Sequence, residues 1–294
     1  MKHALGHKNN LPIGVFDSGM GGLTVLNALS KRLPKESFIY LGDTARLPYG
    51  VKSKDTVQRY ASQVVSILVQ YNIKLLVIAC NTATAGALPF LRAQFPALPM
   101  VGVIHPSAFA AAKATKNNSI AVLATEATVN SGVYDATIRS YNAKATVVSQ
   151  PCGLLVALAE EGCVLDDIAR AVLNKYVVPL VERHGDRVPC DTILLGCTHF
   201  PVFKSLIRTM TQSAGPVSII DSGKTTADAV ELALGRLRLH NKNASDRQSA
   251  VRFLVTDSPE RFSRLGELFF QRPIEAQSVK WVDLHEQAMN KATL

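Results

Sequence analysis

The sequence predicts an α/β protein built from two pseudo-symmetric, doubly wound parallel-sheet domains with the active site in the cleft between them. Three observations predict it. Short β-rich apolar runs alternate with longer amphipathic ones along the whole chain, as in parallel sheets covered on both faces. Lys74-Leu-Leu-Val-Ile-Ala-Cys80-Asn-Thr is echoed by Asp191-Thr-Ile-Leu-Leu-Gly-Cys197-Thr-His, 117 positions further on. The length, 294 residues, suits about two domains.

The strand candidates, in order, are Ile13–Phe16, Phe38–Leu41, Leu75–Ala79, Met100–Val103, Ile120–Leu123, Ala145–Val148, Thr192–Leu195, Val217–Ile220 and Arg252–Val255. Each is a short apolar run bounded by turn formers. Helical patterns lie between them. Thr56–Gln70 carries Val57, Tyr60, Ala61, Val64, Val65 and Leu68 on one face, the stripe of a helix packed on a sheet. A weaker echo pairs Gly14-Val-Phe-Asp-Ser18 with Ala121-Val-Leu-Ala-Thr125, and Ser218-Ile-Ile-Asp-Ser-Gly223 mimics Gly14 to Gly19. The expected layout is therefore discontinuous. Residues 12–107 plus 216–285 form a first unit carrying Cys80, and 108–215 a second carrying Cys197.

Composition excludes other classes. With 47% hydrophobic, 19% charged and 6% aromatic residues, the chain is neither disordered, collagen-like nor a disulfide scaffold. No apolar run approaches the ~18 residues of a membrane helix, and the first ten residues are polar. A soluble cytoplasmic protein without membrane contact is expected. The formal charge of +9 attracts anions. Its basic residues are scattered, the densest stretch being Arg236 to Lys242, and no aromatic-rich strand accompanies them. Nucleic acid is not an expected partner.

Five cysteines, an odd number in a large chain, argue against a disulfide framework. Cys80 and Cys197 each follow an apolar strand and precede a helix, the place where ligands bind in open parallel sheets. The unpaired N–H groups of a following helix are expected to favour thiolate over thiol. Cys152, Cys163 and Cys190 lack such a setting and are expected to be small apolar core residues. Cys190, Cys197 and His199 could ligate a metal, but their spacing matches no zinc pattern, so no metal is expected. Asp17-Ser18-Gly19-Met20-Gly21-Gly22 is glycine-rich without a dinucleotide or phosphate-loop pattern. Its Asp and Ser could instead orient an ammonium and donate to a carboxylate. Pro48-Tyr49-Gly50 is either a rigid turn or a place where backbone N–H groups hold a carboxylate.

Five segments carry a resemblance: GVFDSGMGGLTV, YLGDTARLPYG, IACNTATA, LLGCTHFP and IDSGKTTA. They resemble the glutamate racemases of the cofactor-independent aspartate/glutamate racemase family, in that family's order, from about Ile13 to Leu237. Phe253 to Phe262 also looks like the family's final strand and helix. The resemblance implies that Cys80 and Cys197 are the two acid/base groups. It also implies that Asp17 and His199 are their polar partners. Ser18, Tyr49, Gly50, Asn81, Thr82 and Thr198 match substrate-binding positions, joined by Thr125 and Thr128 and by the two partners themselves. Glu160 matches the site glutamate, although Glu161 beside it leaves the choice between them open. Cys152-Gly153 and Ala157 stand where prolines are usual, and His105 where a glutamate is usual. The resemblance further implies glutamate as substrate, a homodimer, and D-glutamate supplied to peptidoglycan.

Two thiols suit the chemistry. Racemisation removes a proton from one face of the α-carbon and delivers one to the opposite face, so two groups must bracket it. By the family's stereochemistry, Cys80 deprotonates D-glutamate and Cys197 L-glutamate. Two rival readings are a racemase acting on aspartate or a hydantoin, and a DNA-modulating binding protein that keeps a racemase-like body. The +9 charge suggests the second of these.

Overall fold

The computed structural model describes residues 9–183, 188–241 and 250–284. The first eight residues, the Lys242 end of the basic stretch and the His285 limit of the first unit lie outside the described residues. Among the described residues, ten strands form two sheets, and every strand pairing is parallel. The first sheet contains β1 (Ile13–Asp17), β2 (Phe38–Gly42), β3 (Leu75–Ile78), β4 (Met100–Gly102), β9 (Val251–Val255) and β10 (Val279–Trp281), in the order β10-β9-β2-β1-β3-β4. The second contains β5 (Ser119–Ala124), β6 (Thr146–Pro151), β7 (Thr192–Gly196) and β8 (Ser218–Asp221), in the order β6-β5-β7-β8. All nine expected strands exist. The tenth, β10, has only three residues and no periodicity to announce it.

Helices follow the strands: α1 (Leu23–Arg32), α2 (Lys54–Gln70), α3 (Asn81–Gln94), α4 (Ile104–Ala114), α5 (Glu126–Asn130) and α6 (Val133–Tyr141). Then come α7 (Gly153–Glu160), α8 (Asp167–Val181), α9 (Lys204–Met210), α10 (Ser222–Leu237) and α11 (Pro259–Phe270). In α2 Val57, Ala61, Val64, Val65 and Leu68 of the expected stripe are buried, Tyr60 is half-buried, and Ile67, outside the stripe, is buried as well. The helix starts two residues early because the Ser53 hydroxyl caps it, accepting the Thr56 N–H at 3.3 Å, a contact that stabilises a helix start by about 1 kcal/mol.

The four strands β2-β1-β3-β4 correspond one for one to β6-β5-β7-β8. This correspondence corrects two expectations about where the chain changes sheets. Ser218–Asp221 was expected to begin the return to the first unit, but β8 pairs with β7. It is the counterpart of β4, not of β1, and the change follows Asp221. The other expected boundary, at 107, falls inside α4. That helix packs on α6, β7 and β8, whereas α10 packs on α1 and α4. Both connecting helices therefore lie between the sheets. One apolar core runs from Val15 and Val77 of the first sheet through α4 to Val122 and Leu194 of the second. A separate core lies on the outer face of the first sheet, beneath α2 and α3.

Candidate active site

Cys80 and Cys197 stand at corresponding strand ends, 5% and 6% exposed. Cys80 caps α3. Its sulfur accepts the Ala83 N–H at 3.4 Å and its S–H is directed at Ser18 Oγ, also at 3.4 Å. The expected drop in its pKa is corrected. Burial pushes the Cys80 thiol up to about 12, and the Asp17 carboxylate adds to that push. The bonds from Ser18 and Ala83 oppose it, and negative charge on Cys197 raises it further. A helix end offers a fraction of a charge, too little to outweigh loss of water together with a nearby anion. The same interaction shows that the two sulfurs sense each other's charge.

Cys197 has a different surrounding. A short 3-10 turn, Phe200–Phe203, precedes α9, so no full helix begins behind the thiol as expected. Its sulfur instead meets His199 Nδ1 at 3.8 Å, and His199 Nε2 meets Glu160 Oε1 at 3.1 Å. Burial works to lower the histidine's pKa, but bonds and charge from Cys197 and Glu160 outweigh it and raise it to about 10. The imidazole is therefore a cation at neutral pH. The edge of Phe269 packs on it with ring centres 5.3 Å apart. Glu160 is 9% exposed, whereas the side chain of Glu161 is 74% exposed and pairs with Arg261 on the surface. Geometry thus separates the adjacent glutamates.

Asp17 lies between the halves. It is fully buried, its Oδ2 accepts the Gly19 N–H at 3.0 Å and its Oδ1 accepts the Thr198 hydroxyl at 3.4 Å. Burial raises its pKa, while His199 and the N–H groups of Gly22 and Gly19 pull it down. The glycine-rich turn is explained by contact. A Cβ on Gly21 would lie 2.5 Å from His199 Nδ1, so the turn closes on the Cys197 side.

Three hydroxyls tie the units on the other side. Thr82 Oγ1 lies 3.0 Å from Thr125 Oγ1 and 3.1 Å from Thr128 Oγ1, and the last two are 3.0 Å apart. Gly50 presses against Thr125, where a Cβ would come within 2.6 Å. Tyr49 does not reach the cleft with its hydroxyl, which donates to Asp43. Asp43 also accepts from Arg46 and from Thr256, so only the backbone of the Pro48-Tyr49-Gly50 turn can serve a ligand. Cys152 and Cys190 are buried, but Cys163 is half-buried, because it follows the Gly162 turn. His105 is exposed on α4 near Tyr141.

Sequence reasoning missed Tyr134. Its hydroxyl donates to Asn81 Oδ1 at 2.6 Å, linking α6 of the second unit to α3 of the first. Tyr134 reads as an ordinary aromatic on an amphipathic helix, and nothing local marks its partner.

A family model described as Asp/Glu/hydantoin racemase matches residues 13–230. A glutamate racemase of Neisseria meningitidis serogroup A is 42% identical over 264 residues, covering 90% of this chain and 94% of that protein. One from Bacillus cereus is 39% identical over 280 residues, 95% of this chain and all of that protein. Among solved structures, glutamate racemase from Francisella tularensis in complex with D-glutamate superposes with a TM-score of 0.84 at 36% identity. That match covers 95% of this chain and 99% of that one.

Proposed function

The chain belongs to the Asp/Glu/hydantoin racemase family, and from that premise we propose that it interconverts L- and D-glutamate by two-base proton transfer between Cys80 and Cys197, without a cofactor. The observation that carries this reading is the repeated strand order that ends in a buried thiol in each half, near enough for charge on Cys197 to act on Cys80, with Asp17 and Thr82 bonded across to Thr198 and Thr125. The relatives named above, glutamate racemases over nearly their full length, support glutamate as the substrate.

In the L-to-D direction, Cys197 as thiolate takes the α-proton and Cys80 as thiol gives its own to the opposite face. The roles invert in the other direction, and each turnover leaves the opposite thiol protonated. His199, held cationic by Glu160, supports the negative charge on Cys197. Ser18 and the Ala83 N–H support it on Cys80. Carbanion charge must be met by preorganised donors in a site shielded from water. Asn81 and Thr198, each buried beside a cysteine, are placed to supply them. The same reading assigns the protein a cytoplasmic role, with D-glutamate as a precursor of peptidoglycan, and a homodimeric assembly.

The test is exchange in deuterated water with no added cofactor. L-Glutamate is expected to lose its circular dichroism signal and to gain deuterium at the α-carbon. Aspartate is expected to do neither. Exchange of aspartate in preference to glutamate, or of neither, overturns the reading.

A further inference from the structure

We propose that Tyr134 is a positioning residue that reaches across from the second unit and turns the Asn81 amide N–H toward the substrate beside Cys80. This rests on the racemase reading above.

The argument begins with hydrogen counting. A phenol has one hydrogen to give. Tyr134 lies 2.6 Å from Asn81 Oδ1 and 3.2 Å from Ser107 Oγ. Ser107 spends its own hydrogen on the Val103 carbonyl at 2.6 Å. The phenolic hydrogen therefore belongs to the shorter contact, with Asn81 as acceptor. Burial raises the Tyr134 pKa, so the hydroxyl remains a donor throughout the working pH range. An amide whose oxygen is engaged must point its NH2 the other way. Asn81 is 3% exposed and its Nδ2 has no protein partner among the described residues. A buried donor left unmade is costly, and an oxygen of a bound amino-acid carboxylate answers it.

Placement makes this bond a link between the two units. Asn81 opens α3 in the first unit, and Tyr134 stands on α6 in the second. The same hydroxyl also meets Ser107 on α4 and Ser222 at the start of α10. Those are the two helices by which the chain changes sheets. The ring is seated on Gly196, the residue before Cys197, where an added Cβ would lie 3.0 Å from ring carbon Cε2. One side chain thus touches both connections, the Cys197 strand end and the residue next to Cys80.

The experiment is a mutant cycle read in steady-state kinetics. Tyr134→Phe is expected to raise KM for both enantiomers about tenfold, the weight of one oriented hydrogen bond, with kcat within about threefold. In an Asn81→Ala background the same substitution should change KM less than about twofold, because there is no amide left to orient. An unchanged KM in Tyr134→Phe, or an equal rise in both backgrounds, overturns the proposal. Asn81→Asp keeps an acceptor for Tyr134 while removing the N–H, and is expected to raise KM at least as much even if Tyr134→Phe folds poorly. An unchanged KM in that variant also overturns it. If the wild-type protein exchanges no α-proton, the racemase reading fails separately. The positioning bond is then judged by thermal midpoints. A combined loss in the double variant smaller than the two single losses together supports it, and a fully additive loss overturns it.

Discussion

The Cys80 end of β3 and the Cys197 end of β7 occupy the same place in matching four-strand arrays, yet their charged neighbours differ. Cys80 sits on a 14-residue helix and faces the Asp17 carboxylate. Cys197 sits before a short turn, against the His199–Glu160 pair. Backbone symmetry sets where the sulfurs stand. Side chains set what charge surrounds each: His199 is bonded to Glu160 of α7, and Asp17 accepts from Thr198 of the other unit. On the proposed two-base mechanism, two groups that exchange roles need one thiol and one thiolate at a time, and unlike surroundings suit that need.

Removing either sulfur breaks the comparison most severely. Cys80→Ser and Cys197→Ser are each expected to lower racemisation by about 10³-fold or more, since positioned acid/base groups supply about 10²–10⁴-fold, with the fold intact by circular dichroism. Each variant should still eliminate the leaving group from a β-substituted glutamate of one hand. Cys197→Ser retains the D-hand, through Cys80, and Cys80→Ser retains the L-hand. Elimination from the same hand by both variants would refute the two-sided arrangement.

A smaller effect isolates the charge on one side. Glu160→Gln removes an anion that, with Cys197, raises the His199 pKa and is expected to slow turnover about tenfold, the cost of one charge-assisted hydrogen bond. Glu161→Gln alters an exposed carboxylate paired with Arg261 at the surface and should stay within about twofold. Equal effects of the two would remove Glu160 from the site.

The pH dependence sharpens the contrast, provided that the right quantity is measured. L- and D-glutamate have equal free energy, so kcat/KM must be the same in both directions at every pH. Asymmetry appears only in an irreversible step. With its thiol raised to about 12, Cys80 in the Cys197→Ser variant should eliminate from the D-hand ever faster as pH rises from 7 to 9. In Cys80→Ser, the His199 cation persists beside Cys197 up to about pH 10, and the rise should be shallower. Parallel profiles would show that the two environments do not matter.

The sequence discloses some of this arrangement and withholds the rest for physical reasons. Both cysteines and Asp17 are legible because strand ends are local features, read from a few consecutive residues. The pKa of Cys80 is not, because the dominant influences are burial and the Asp17 carboxylate, which is remote in sequence. The likeness of Ser218 to Gly223 with Gly14 to Gly19 misled because a strand-turn-helix pattern does not specify which strand lies alongside. Adjacent Glu160 and Glu161 are distinguished only by which side of the α7 end faces His199. Tyr134 was invisible because its partners, Asn81, Ser107 and Ser222, lie 53, 27 and 88 positions away.

The last consequence concerns stability. His199 and Cys80 both hold their protons more tightly folded than unfolded, so the native state binds more protons on the alkaline side and stability must fall as pH rises. For His199 the contribution is intact below about 6.5, the ordinary imidazole value, and is lost as pH climbs through about 10. For Cys80 the loss begins near 8.5, the ordinary thiol value, and runs toward about 12. Each group adds at most about 1.4 kcal/mol per pH unit. Denaturant midpoints measured from pH 6 to 10 should therefore decline, and decline more steeply above about 8.5. His199→Gln is expected to flatten the lower part of that slope, and Cys80→Ser only the upper part. If the two substitutions flatten the same interval, the protons are not held separately at the two ends, and the contrast between the halves is lost with them.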